Sequence, residues 1–150
     1  MSYIELFAKR FNELSADSGK SHKELADDLQ INLHDIIRWS SGKNNYLPSV
    51  EKLLIFANYF HCSIDYIIGL TDTDISVSAD VQFPHIAGRF KKIVYENGYT
   101  FAKLSKATGI KNTTLFYNWE NGKSLPQIEN LIKVAKALDC TLDYLVGRES

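Results

Sequence analysis

The chain has 150 residues, a hydrophobic fraction of 45% and a formal net charge of −1 at pH 7. No apolar run is long enough to span a bilayer, and the first ten residues lack the basic-then-apolar order of a signal peptide. We therefore expect a cytoplasmic protein with no membrane partner, and the total charge does not by itself indicate a nucleic-acid binder.

Five helices are predicted in the first half of the chain. An apolar stripe at helical spacing predicts the first helix over residues 3–18, and Gly19 ends it. The stripe consists of Ile4, Phe7, Phe11 and Leu14. The following helices are predicted over residues 22–29, 33–41, 50–60 and 64–68, with Ser21, Asn32, Ser49 and Ser63 as N-caps.

The second half of the chain repeats the first. Residues 19–26 align on residues 98–105 with an offset of 79, and residues 39–43 align on residues 119–123 with an offset of 80. The second copy therefore has one extra residue between its turn and its tryptophan. Matches whose offsets differ by so little indicate a tandem duplication. Its second set of helices is predicted near residues 84–97, 101–108, 113–121, 127–138 and 142–146.

A segment of alternating pattern separates the two copies. The apolar residues Ile75, Val77, Ala79, Val81 and Phe83 alternate with polar ones, which is typical of a half-buried strand. One interpretation is an extended linker that lays alternate side chains on a domain surface. The other is a strand that pairs with its symmetry mate, so that residues 75–83 would join a homodimer.

Residues 98–126 predict two short helices joined by a tight turn at Gly109. The buried surface is predicted from Leu104, Ile110, Phe116 and Trp119, and Thr100 is the predicted N-cap. The remaining side chains between Ile110 and Trp119 carry mainly amide, hydroxyl and amine groups. A short helix that presents such groups outward is suited to the major groove of DNA.

Both copies resemble the Cro/C1-type, or XRE-type, helix-turn-helix family of phage and bacterial transcription regulators. The most specific part is residues 119–126, WENGKSLP, followed by the apolar pattern of residues 131–145. The resemblance implies an all-α protein with two tandem, five-helix, lambda-repressor-like DNA-binding domains. These are expected at residues 1–70 and 84–150, joined by an extended linker or strand at residues 71–83.

The resemblance also implies which side chains contact double-stranded DNA. The base-reading positions fall on Asn32, Leu33, His34 and Arg38 in the first copy and on Asn112, Thr113, Thr114 and Asn118 in the second. The phosphate-contacting positions fall on Ser21, His22, Ser41 and Lys43, and on Thr100, Phe101, Lys111, Asn121 and Lys123.

The chain departs from the family pattern at several of these positions. The usual glutamine near the start of the second helix is His22 in one copy and Phe101 in the other. The family's charged pair between the first helix and the residue after the tryptophan is replaced by Ser15 with Ser40, and by Val94 with Glu120.

Charge is distributed unequally between the two halves. Residues 1–72 carry seven Lys/Arg and ten Asp/Glu, whereas residues 73–150 carry ten and eight, giving net charges of −3 and +2. Because phosphate contacts depend on the local placement of Lys and Arg, the second unit is expected to be the stronger DNA partner.

The sequence contains few features typical of an enzyme or of a metal-binding protein. It contains no Gly-rich phosphate loop, metal-ligand cluster or nucleophile elbow, so we expect no enzymatic activity, cofactor or metal. Cys62 and Cys140 stand at equivalent positions and are interpreted as small apolar core residues.

Two classes of function remain. The first is a sequence-specific DNA-binding transcriptional regulator, in particular a repressor. The alternative is a protein-interaction adaptor or antirepressor that kept the fold while one or both units lost DNA binding, which the acidic first unit favours.

Overall fold

Ten α-helices make up the regular structure of the computed structural model, which describes residues 1–74 and 81–149. The chain divides into two units, Met1–Val77 and Ser78–Ser150. The described residues contain no strand, in agreement with the predicted all-α class.

The first unit contains α1 (Tyr3–Ser18), α2 (His22–Leu29), α3 (Leu33–Ser40), α4 (Val50–Phe60) and α5 (Ile64–Ile68). A side-chain oxygen accepts a backbone N–H in the first turn of each helix, from Ser2, Ser21, Asn32, Ser49 and Ser63. These caps satisfy amides that have no partner inside their own helix.

Aromatic rings fill the core of the first unit. The Phe11 ring lies edge-on to Phe56 with centroids 5.2 Å apart, and Trp39 meets Phe56 at 5.9 Å. Phe7 stacks on Phe11 at 5.5 Å. The rings therefore join α1, α3 and α4 into one hydrophobic core.

The second unit contains α6 (Phe90–Glu96), α7 (Phe101–Thr108), α8 (Thr114–Glu120), α9 (Ile128–Leu138) and α10 (Leu142–Leu145). The prediction of a helix over residues 84–97 was wrong at its start, because α6 begins at Phe90. His85 N donates to Val146 O and Gly88 N donates to Glu120 O, both at 2.9 Å. The backbone before Phe90 thus binds other parts of the unit instead of continuing α6.

Phe90 is the centre of the second core. Its ring lies within 5.9 Å of the rings of Phe101, Phe116 and Trp119, measured between centroids. Phe101 is only 3% exposed, so the expectation that this position contacts phosphate was wrong. An apolar ring at the start of α7 gains more from the core than from water.

An arginine on or just before the first helix of each unit binds the unit's last helix. Arg10 Nη1 donates to Tyr66 O at 2.7 Å, and Arg10 Nη2 donates to Asp72 Oδ1 at 3.1 Å. Arg89 Nη2 donates to Tyr144 O and Arg89 Nη1 to Leu145 O, both at 3.2 Å. Both guanidinium groups therefore satisfy carbonyls at a helix C-terminus.

The alternating segment lies mostly outside the described residues, since residues 75–80 are not among them. Of its remainder, Val81 is half-buried and Phe83 is 75% exposed, and neither belongs to a strand. Phe83 therefore does not lie on the surface of its own unit as the linker interpretation expects. The homodimer contact through residues 75–83 stays a prediction.

Candidate nucleic-acid interface

Side chains fix the turn between α7 and α8. Thr100 Oγ1 accepts from Lys103 N at 3.2 Å and caps α7, while Gly109 ends it with a φ of +76°. Ser105 Oγ donates to Ile110 O at 2.6 Å, and Thr108 Oγ1 accepts from Ile110 N at 3.2 Å. These bonds hold the angle at which α8 leaves α7, as a helix-turn-helix pair requires.

The extra residue of the second copy is Lys111. Ile31 and Ile110 are both buried at the end of the turn, and the side-chain oxygens of Asn32 and Asn112 both accept from an amide in the first turn of the next helix. Asn32 directly follows its isoleucine, whereas Lys111 stands between Ile110 and Asn112. The insertion thus adds an exposed lysine at the start of the helix that is predicted to read DNA.

The α8 helix has one buried apolar face and one exposed face. Phe116 and Trp119 are buried, whereas Thr114, Tyr117 and Asn121 are exposed. The other predicted base-reading positions, Thr113 and Asn118, are half-buried.

Asn112 is exposed, but its Oδ1 accepts from Thr114 N at 3.0 Å. Since Oδ1 is used for the cap, only the amide NH₂ of Asn112 can contribute to recognition as a donor.

Four exposed lysines surround the α7–α8 pair. They are Lys103, Lys106, Lys111 and Lys123. Within the described ranges, none of their ammonium groups forms an ion pair. Their charges are therefore available to neutralise phosphates.

Three cations of the first unit lie close to carboxylates, whereas the exposed Lys23 and Lys43 form no ion pair among the described residues. Arg38, a predicted base-reading residue, donates to Asp35 on its own helix, and Lys52 Nζ lies 3.9 Å from the same carboxylate. Lys20 Nζ lies 3.5 Å from Asp28 Oδ2. The structure thus assigns to Arg38 an intramolecular partner that sequence reasoning missed, although the three-residue spacing to Asp35 was a signal for it.

The outward face of α3 is partly apolar. Leu33 is 38% exposed and Ile37 is 47% exposed, one helical turn apart, while His34 is exposed beside them. Asn32 Oδ1 caps the helix by accepting from His34 N at 2.8 Å. This face offers fewer hydrogen-bonding groups to base edges than the outward face of α8.

The predicted phosphate-contacting residues differ in exposure and in whether their polar groups already form hydrogen bonds within the protein. Ser41 Oγ donates to Arg38 O at 2.6 Å and accepts from Lys43 N at 3.2 Å, so its hydroxyl is already used. Ser21 Oγ accepts from Glu24 N in a capping box, and His22 is half-buried. Lys43 and Asn121 are exposed.

A carboxylate of the first unit has a lowered pKa. The Tyr59 hydroxyl donates to Asp28 Oδ2 at 2.8 Å, and this hydrogen bond, together with the Lys20 ammonium, lowers the pKa of the Asp28 carboxyl. The same carboxylate raises the pKa of Lys20 and of Tyr59. These contacts link α2 to α4, and they pair the ammonium group of Lys20, just before α2, with a carboxylate of the same unit.

A contact between the first helix and the residue after the tryptophan recurs in both units. Asn12 Nδ2 donates to Ser40 O at 2.8 Å, and Glu120 Oε1 accepts from Lys91 N at 2.7 Å. Sequence reasoning placed the first-helix partners at Ser15 and Val94, which are buried instead. The offset of 79 between Asn12 and Lys91 was the signal that could have found the contact.

The described ranges hold no cluster of three or more His, Cys, Asp or Glu side chains able to bind a metal ion. No helix among them is long and apolar enough to cross a membrane.

Two comparisons with known proteins gave matches, and the match to a family model lies in the second unit. Residues 91–145 match the family model described as "Helix-turn-helix". A stretch of 49 residues, 33% of the chain, is 41% identical to the cryptic phage CTXphi transcriptional repressor RstR of Vibrio cholerae serotype O1 (strain ATCC 39315 / El Tor Inaba N16961). The match spans 43% of that relative's length. No solved structure matches the chain significantly. Residues 91–145 are therefore similar to a helix-turn-helix domain.

Proposed function

We propose that the protein is a sequence-specific DNA-binding transcriptional regulator that acts as a repressor, with the second unit as its principal reader. The observation that carries this proposal is the α7–α8 pair, whose polar outward face is surrounded by four exposed lysines without ion-pair partners in the described ranges. The similarity to a protein named as a transcriptional repressor supports the regulatory role.

The two helices of the pair have different tasks in this proposal. The outward side chains of α8, Thr114 and the amide of Asn112 among them, face base edges in the major groove. Lys103 and Lys106 on α7 and Lys123 after α8 neutralise phosphates and fix the register of α8. Binding of this kind represses a gene when the site overlaps the place where transcription starts.

The first unit is the weaker reader in this proposal. It has the same order of helices and the same asparagine cap before its third helix, but Arg38 and Lys20 are held by carboxylates. Two units in one chain would recognise an asymmetric site, because the exposed residues of α3 and α8 differ.

A second candidate function is protein binding by the first unit. The exposed Leu33 and Ile37 on α3 favour it, since apolar groups on an outward helix face suit a protein partner better than phosphates. Under this alternative the protein is an adaptor or antirepressor, and its first unit does not touch DNA.

Binding of the purified full chain to random-sequence DNA at low and moderate salt tests the proposal. We expect binding that weakens steeply with salt, and selection from the random pool should yield a defined sequence. Lys103→Ala should weaken binding on all sequences, whereas Lys133→Ala, an exposed lysine on α9, should leave it nearly unchanged. Absence of binding at low salt would refute the DNA-binding function and favour the adaptor.

A further inference from the structure

Three aromatic rings lie in a row on the second unit. The Phe101 ring, at the start of α7, meets Tyr117 of α8 at 4.8 Å between centroids and Tyr95 of α6 at 6.2 Å, both edge-on. Phe101 is 3% exposed, whereas Tyr117 is 48% and Tyr95 is 49% exposed. The buried ring thus supports two half-exposed tyrosines on different helices.

The contact with Phe101 determines where Tyr117 can act. Thr113 and Thr114 lie one turn before Tyr117, so all three share the outward side of α8. The short distance to Phe101 draws the Tyr117 ring toward α7, the helix that carries the exposed Lys103 and Lys106. Tyr117 therefore lies on the side of α8 that faces α7, between the exposed polar residues of α8 and the exposed lysines of α7.

The hydroxyl of Tyr117 is available at that position. In residues 1–74 and 81–149 it makes no hydrogen bond, while its ring is held by packing. A tyrosine held in this way presents its hydroxyl at a low entropic cost, because the ring is already ordered. Tyrosine hydroxyls are among the groups that donate to phosphate oxygens of DNA.

We propose that the Tyr117 hydroxyl donates a hydrogen bond to a backbone phosphate of the bound DNA and so sets how deeply α8 enters the groove. This inference rests on the proposed function of the second unit. It assigns to Tyr117 a positioning contact and not a base-reading one. Its equivalent in the first unit, Ile37, has no hydroxyl, so the contact belongs to the second unit alone.

The simplest competing explanation is that Tyr117 only covers Phe101. Tyr95 provides the matched control, because it has the same residue type, nearly the same exposure and the same ring partner. It lies on α6, a helix that carries none of the predicted DNA-contacting residues. Tyr117→Phe and Tyr95→Phe each remove one hydroxyl and leave the supporting ring in place.

The experiment measures the affinity of the full chain and both variants for a selected site and for an unrelated duplex. Tyr117→Phe should weaken binding by about tenfold on both DNAs, because a contact to phosphate is independent of sequence. The slope of log affinity against log salt should not change, since the lost group is neutral. Tyr95→Phe should bind like the unaltered protein.

A scan with neutral methylphosphonates, one phosphate at a time, locates the contact. One position should weaken the unaltered protein more than it weakens Tyr117→Phe, and this non-additivity would not arise from a packing role. Unchanged affinity of Tyr117→Phe, a loss confined to the selected site, or an equal loss in Tyr95→Phe would each overturn the inference. Failure of the unaltered chain to bind any DNA would instead refute the proposed function itself.

Discussion

Glu24 and Asp27 on α2 correspond to Lys103 and Lys106 on α7, and all four side chains are exposed. The two helices also share a hydroxyl cap and a buried leucine, Leu25 or Leu104. The two helices thus have the same type of cap and the same buried leucine, but exposed charges of opposite sign. The comparison shows that the fold places few demands on the exposed residues, so these residues can differ with the task of each unit.

The same contrast extends to α3 and α8. Arg38 is engaged by Asp35, and the corresponding positions of the second unit hold Asn118 and Leu115. Arg38 is therefore bound to a carboxylate on its own helix. The second unit has neither a carboxylate nor a guanidinium group at these positions. Four predictions test or sharpen this comparison, from the largest expected effect to the smallest.

The largest effect is expected at a buried ion pair of the second unit. Arg148 Nη1 donates to Asp143 Oδ1 at 2.6 Å, with the two side chains 2% and 1% exposed. The first unit has Leu70 in place of Arg148 and a half-buried Asp65 in place of Asp143. Arg148→Leu should lower the stability of the second unit by about 3–5 kcal/mol, because it leaves a carboxylate buried without this partner.

Urea unfolding followed by tryptophan fluorescence measures this loss. Each unit has one tryptophan, so a Trp39→Phe background leaves Trp119 as the reporter of the second unit. Lys133→Leu, which removes an exposed cation from α9, serves as the control and should change stability little. A loss below about 1 kcal/mol for Arg148→Leu would contradict the prediction.

Exchanging the outer charges should change DNA binding in opposite directions. Lys103→Glu with Lys106→Asp gives α7 the residues of α2 at these positions and should reduce affinity on all sequences. The slope of log affinity against log salt should fall by about 2, one unit for each lysine that contacts phosphate.

The reverse change, Asp27→Lys on α2, should raise affinity at low salt if the first unit also approaches DNA. Far-UV circular dichroism should be unchanged in both proteins, since all of these side chains are exposed. Equal losses of affinity in the two variants would contradict the comparison between the units.

The two cap asparagines separate a structural role from recognition. Asn32→Ala and Asn112→Ala should each cost about 0.5–2 kcal/mol of stability, because each removes a side-chain hydrogen bond to an amide in the first turn of a helix. Asn112→Ser keeps a capping oxygen and removes the amide donor, so it should retain stability and still weaken binding to the selected site.

Thermal unfolding and DNA titration of the same preparations distinguish the two losses. Asn32→Ser is the matched variant of the first unit and should affect binding less. Full affinity in Asn112→Ser would show that the amide group does not read a base.

The smallest effect concerns acid stability, and it belongs to the first unit. The hydrogen bond from Tyr59 is the main cause that lowers the pKa of Asp28, ahead of the Lys20 charge. A carboxyl with a lowered pKa stabilises the fold above its unfolded pKa of about 3.9, and this contribution is lost as pH falls through the folded pKa. The second unit has Ala107 and Ala137 at the corresponding positions and therefore lacks this contribution.

NMR titration of the Asp28 carboxyl carbon measures the shift. Tyr59→Phe should raise this pKa toward its usual range, and Lys20→Ala should raise it by less. An unchanged Asp28 pKa in Tyr59→Phe would contradict the assignment.

Local signals were sufficient to predict most helices. Ser21, Asn32, Ser49 and Ser63 stand immediately before apolar periodic runs, and each caps the helix expected of it. Such caps act over two or three residues, so their geometry is already contained in the sequence.

Contacts between residues far apart in the chain could not be predicted from the sequence pattern. The start of α6 depends on bonds from His85 and Gly88 to residues more than 30 positions away, and the interactions of Arg10 and Arg89 also reach the far end of each unit. The role of Phe101 depended on the position of Tyr117 and Phe116 around it. The base-reading residues themselves stay a prediction, because they are defined by a partner molecule.

The distribution of aromatic rings has a consequence for exchange of helices between the two units. The first core places rings at Phe7 and Phe56, where the second has Ile86 and Val134, and the second places rings at Phe101 and Phe116, where the first has His22 and Ile36. A recombinant unit with the first and fourth helices of one copy and the middle helices of the other would carry all four rings or none. The first product would be overpacked and the second would contain a void. Exchange of the middle helices between the two units would thus destabilise both products, whereas exchange of exposed residues would leave both cores intact.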